Sequence, residues 1–152
     1  MIAVGIISLL LDLIILNYTN FLFLNINMIF PMLTIVYLVS ILYYFDNIKK
    51  FSFISILIVY GIINNNIFLT LLNFSIINYI VRKLKNQNYF LVLALSILLY
   101  DTMNYLFLMI CSYYQFNIYF IFYKFCNSLI LNLLWGSVFY LFLSCSKMRK
   151  IE

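Results

Sequence analysis

The chain has 152 residues, of which 67% are hydrophobic, 20% aromatic and 9% charged, with a formal net charge of +5 and no histidine. Soluble domains average about 45–50% apolar and about 25% charged residues, so a free-standing soluble enzyme is excluded and one membrane-embedded domain over residues 1–152 is expected. Without histidine there is no imidazole acid/base chemistry and no His-ligated metal.

A bilayer crossing takes about 20 apolar residues, within a range of about 17–25. On that criterion the first span covers residues 2–16. It begins without a basic n-region or a small-residue cleavage site, and so reads as a retained membrane helix. The second covers 28–45, with Pro31 in its first turn, where a missing N–H does no harm. The third and fourth, 51–63 and 67–81, are short and are separated by Asn64, Asn65 and Asn66, residues that tolerate turn geometry. The fifth covers 89–111 and the sixth 125–145. Between these two, residues 112–124 are rich in Tyr and Phe, which suits a headgroup-level belt.

Positive charge sets the orientation. If residues 51–81 formed one helix, Lys49 and Lys50 would lie on the opposite face from Arg82, Lys83 and Lys85, against the positive-inside rule. Two short helices put both clusters inside. Six crossings with both termini inside leave eight of the nine basic residues in the cytoplasm and only Lys124 outside. The charge is thus a topology and lipid-headgroup signal, and no folded domain is present to bind nucleic acid.

Sixteen Asn and 16 Phe beside two Ala and two Arg mark a strong AT codon bias, which lowers the information carried by any single Asn or Phe. Cys111, Cys126 and Cys145 have no metal-ligand spacing and read as buried small hydrophobes.

An ionisable residue inside the membrane is a candidate functional group by default, and two qualify. Asp101 falls mid-way along the fifth span, with no basic residue at its depth. It is expected to be neutral and hydrogen-bonded to Thr102, Asn104, Tyr105 or a neighbouring helix, or else paired with a partner. Asp12 lies about four residues from the outer end of the first span, within reach of a wet interface. In the last helix Ser128, Asn132, Gly136, Tyr140 and Ser144 recur every four residues as a ridge of small and polar groups. Such a ridge packs either inside the bundle or against another subunit. Asp101, Asn104, Asn132, Gly136 and Asp12 are therefore candidates for polar packing or partner contact. No catalytic, cofactor or metal residues are expected, because no convergent acid/base pair or nucleophile motif is present.

The order of these pieces resembles a known family. A polar "LNYTN" closes the first helix, and a Pro opens the second in "FPMLTIVYLV". A short helical hairpin follows, "SILIVYGIINNNIFLTLLNFSIINYIVRKL". Next come a helix with a mid-span acid, "SILLYDTMNYLFLM", and a closing "CNSLILNLLWGSVFYLFL" with a basic tail. This resembles the MreD family of rod-shape-determining membrane proteins across nearly the whole chain. The resemblance implies a six-helix bundle similar to vitamin-transporter S components. It also implies a non-enzymatic subunit of the cell-wall elongation machinery that associates with an MreC-like bitopic protein. The Gly-rich run with an Asp that closes the family's third helix is replaced here by Leu57–Gly61 and Asn65. Asn17, Pro31 and Asn66 match the family's texture. The alternative is a substrate-binding S component of a small-molecule transporter, or a small membrane assembly factor. An S component would show a polar pocket facing outward and an Ala-rich docking face.

Overall fold

The computed structural model describes residues 2–22, 32–45, 50–63, 66–111 and 118–148. Among these, six helices and no strand are present: α1 (Ile2–Leu22), α2 (Leu33–Tyr44), α3 (Lys50–Ile63), α4 (Ile67–Lys83), α5 (Tyr89–Ile110) and α6 (Ile118–Met148). Each of the six apolar segments holds one helix. Leu, Ile and Phe dominate these stretches, and helix-breaking residues are confined mostly to their edges. Pro31 and the pair Asn64 and Asn65 lie outside the described residues.

α3 and α4 are two helices that pack on each other, as the charge argument required. Asn66 caps α4 through a long 3.4 Å bond from the Leu69 N–H, and its own N–H donates back to the Gly61 carbonyl. Gly61 is needed at this corner, since a Cβ there would meet the Ile67 Cα at 2.8 Å.

The arrangement places α2 at the centre. It packs against α1, α4, α5 and α6, while α3 bridges α1 and α4. Every residue from Met32 to Leu42 is buried, so this helix has no outward face. It runs antiparallel to α1, with Leu33 beside Asp12 and Tyr37 beside Gly5. It runs parallel to α6, with Met32, Tyr37 and Tyr44 beside Asn132, Phe139 and Tyr140. At 12 residues it is only about 18 Å long. Its first turn lies level with the middle of α1 and of α6, and its last turn lies at the end of the bundle where α4 meets α5.

The helices around α2 turn apolar side chains outward. Ile6, Ile7, Leu10 and Ile14 are exposed on α1, Ile54, Ile58 and Ile62 on α3, and Phe68 and Leu72 on α4. Leu91, Leu95 and Leu106 continue this surface on α5, and Ile130, Leu134, Val138 and Leu141 on α6. Polar groups point the other way: Asp12, Thr34, Asn73, Asp101, Ser128 and Asn132 are all buried. Buried hydroxyls donate to carbonyls four residues back in their own helix, as Ser8 does to Val4, Ser40 to Val36 and Ser96 to Val92.

Among the described residues two stretches, Tyr89–Phe107 and Phe125–Ser144, are long and apolar enough to cross a membrane, each with mean hydropathy 1.6. Ala3–Ile15, Leu33–Tyr44 and Ile54–Ile63 are apolar but shorter. Three expected boundaries change. α1 continues to Leu22, α2 begins at Leu33, and α6 begins at Ile118, so the end of the expected belt is already helical. Aromatic and polar residues that end a hydropathy window need not end a helix, because helix geometry tolerates Tyr, Phe and Asn.

Candidate functional site

The start of α2 is capped from two other helices. Met32 occupies the N-cap position and has no side-chain oxygen to offer. The first N–H groups of a helix have no partner within the helix, and here they are buried. The Asp12 carboxylate, from the middle of α1, accepts from the Leu33 N–H at 2.9 Å through Oδ1 and from the Thr34 N–H at 2.8 Å through Oδ2. Asn132 Oδ1, from the middle of α6, accepts from the Met32 N–H at 2.9 Å. Asn132 Nδ2 then donates to the Ser128 carbonyl at 2.8 Å and to Ser128 Oγ at 3.2 Å. Three helices are joined at one point, and the negative carboxylate sits at the positive end of the α2 dipole.

Asp12 is thus placed differently from the sequence expectation. It was expected near a wet interface; it lies mid-helix, is only 4% exposed, and is occupied by backbone donors. The cause is the extension of α1 to Leu22, which moves the helix end away from Asp12.

A second polar layer joins α3, α4 and α5. Asn73 Nδ2 donates to Asn104 Oδ1 at 3.1 Å. The buried Tyr100 hydroxyl lies among the side chains of Thr70, Asn104 and Tyr60, and Asp101, the next residue of α5, is also buried. Thr102, one of the neighbours expected for Asp101, donates to the Leu99 carbonyl.

The ridge of α6 turns inward over its first half. Ser128, Asn132 and Gly136 are buried, and Gly136 lies against the Leu93 side chain of α5 with no room for a Cβ. Beyond Gly136 the four-residue row drifts off the inner face, because a helix turns every 3.6 residues. Phe139 and Leu143 take the buried positions, while Tyr140 is 38% exposed.

Sequence reasoning missed an aromatic cluster where the end of α2, the start of α5 and α6 converge. Tyr44 and Tyr89 have ring centroids 5.6 Å apart, and Tyr89 and Tyr140 5.5 Å. Tyr89 donates to the Gly136 carbonyl at 3.1 Å and lies 2.7 Å from Ser40 Oγ, while Tyr43 donates to the Gln87 carbonyl. The rings floor an open cleft of about 570 Å³ whose rim carries Lys85, Asn86 and Asn88. The available signal was a tyrosine at the end of α2 and another at the start of α5, which codon bias concealed.

Two cysteines are free as expected but differ from expectation in their exposure. Cys111 and Cys126 are exposed free thiols, because both lie on outward faces that the apolar sequence alone could not tell from inward ones. The side chain of Cys145 lies outside the described residues. Among the described residues, no three Cys, Asp or Glu side chains are grouped to hold a metal ion. No protein-family model matches the chain, and comparison with curated proteins and with solved structures finds no match.

Proposed function

We propose that the chain is a multi-pass plasma-membrane protein, crossing six times with both termini in the cytoplasm, and that it serves as a non-enzymatic scaffold subunit of the bacterial cell-wall elongation machinery. The observation that carries the membrane reading is the inverted polarity of the bundle. Ile14 and Phe68 expose 59% and 76% of their surface while Asp12, Asn73, Asp101 and Asn132 are buried. In water each exposed large aliphatic forgoes about 1.5–3 kcal/mol of burial, whereas against lipid acyl chains it forgoes almost nothing. The short helices α2 and α3 cross with the help of flanking polar residues, local thinning of the bilayer and tilt.

The scaffold reading draws on the order and size of the helices, which resemble the MreD family. The interior also supports it: Asp12 and Asn132 bond to the backbone of another helix and Asn73 bonds to Asn104, as packing elements do. On this reading the chain presents helix faces to an MreC-like bitopic protein and to the wall-elongation complex, and takes no small-molecule substrate, cofactor or nucleic acid. A transporter S component would open its polar pocket at the outer side. The tyrosine-lined cleft described above lies at the end bearing Arg82, Lys83 and Lys85.

Purification from native membranes in a mild detergent tests the proposal. A bitopic wall-elongation protein should co-elute, and a reporter fused after Glu152 should be active only in its cytoplasmic form. Release of the chain by alkaline carbonate would overturn the membrane reading. Stoichiometric co-elution with an ATPase transport module would overturn the scaffold reading.

A further inference from the structure

The cleft between the end of α2, the start of α5 and α6 has a chemistry that the scaffold role does not use. We propose that it is a binding site for the phosphate-bearing headgroup of an anionic lipid. The inference rests on the membrane reading above.

Its volume of about 570 Å³ falls in the range of about 300–1,000 Å³ typical of small-ligand sites. The rim offers the Lys85 ammonium and the carboxamides of Asn86 and Asn88, and the floor is built from Tyr44, Tyr89 and Tyr140. The Lys85 ammonium, the amide groups of Asn86 and Asn88 and the Tyr140 phenol suit a phosphate oxygen, whereas the Tyr89 hydroxyl is already bonded to the Gly136 carbonyl and Ser40. Arg82 and Lys83, exposed on the last turn of α4, lie outside the lining of the cleft.

Position argues for a lipid over a soluble anion. The cleft sits at the first turn of the stretch Tyr89–Phe107, one of the two long enough to cross a membrane, so it opens at headgroup depth. Tyrosines favour this depth, and basic pockets between helices on the cytoplasmic side are a recognised form of anionic headgroup site. Immediately beyond the cleft, Phe90 and Leu91 present exposed apolar side chains along which acyl chains can lie.

The test uses the full chain reconstituted in phosphatidylcholine nanodiscs, with and without phosphatidylglycerol, followed by native mass spectrometry of retained lipid. Wild type should retain phosphatidylglycerol over phosphatidylcholine. Lys85→Gln should weaken that retention about tenfold, the scale of one charge-assisted hydrogen bond. Tyr140→Phe should weaken it severalfold with an unchanged circular-dichroism spectrum, which keeps the proposal testable if Lys85→Gln folds poorly. Lys83→Gln removes the same charge outside the cleft and should have little effect. Equal loss with Lys83→Gln would reduce the binding to surface charge, and equal retention of the two lipids would remove the site; either overturns the proposal. Displacement by inorganic phosphate at millimolar concentration would assign the cleft to a free phosphoryl group and overturn the lipid. Failure of wild type to enter nanodiscs at all would instead strike the membrane reading.

Discussion

Replacing Asp12 by Ala tests whether the α2 start is held by a borrowed cap. The substitution leaves the N–H groups of Leu33 and Thr34, bonded at 2.9 and 2.8 Å, without their acceptors. Thr34 is fully buried and Leu33 nearly so, so no solvent replaces the lost carboxylate. An unsatisfied buried donor costs about 1–3 kcal/mol, and two of them sum to about 2–6 kcal/mol. Asp12→Asn keeps one acceptor oxygen and loses the charge at the helix end, and should cost about half as much. Unfolding by sodium dodecyl sulfate in mixed micelles gives the measurement. The chain's single tryptophan, Trp135, reports it from α6, where its ring packs 5.8 Å from Phe139 and lies three residues from Asn132. Asn132→Ala removes the third cap, and the double variant should show a coupling of about 0.5–3 kcal/mol, because both side chains hold one helix end. Stability of Asp12→Ala within about 0.5 kcal/mol of wild type would refute the cap as a structural element.

Gly136→Ala should destabilise by about 1–3 kcal/mol through collision with Leu93, and Leu93→Ala in the same chain should recover part of that loss, measured by the same unfolding titration. For Asp101, buried beside Tyr100, Asp101→Asn should preserve partner co-purification and stability to within about 1 kcal/mol. Asp101→Leu should cost about 1–3 kcal/mol; loss of the partner with Asn at unchanged expression would contradict this. Cys111 and Cys126 should both react with a thiol reagent in the folded protein, and a quantitative bridge in a non-reducing mass spectrum would contradict their free state.

Six helices were legible in the sequence because apolar runs bounded by Asn, Lys and Pro admit little else, and the charge clusters separated α3 from α4. The inward face of α6 was half legible: the four-residue row named Ser128, Asn132 and Gly136. A straight row cannot follow a 3.6-residue turn, so Phe139 and Leu143 were lost from it. Hydropathy could not rank the two acids, because it measures distance along the chain and not which neighbours a side chain meets. Both read as candidates, yet Asp12 makes the connection on which the central helix begins. That connection joins residues 21 and 22 apart in sequence, and its companion from Asn132 spans 100. No local pattern encodes it, since Met32 at the N-cap offers no oxygen and the missing acceptors come from two other helices. The sequence by itself determined that these segments are helical and apolar. Only the tertiary structure decided that α2 lies at the centre, because a helix that starts inside an apolar bundle can start only where other helices bring acceptors to its free N–H groups.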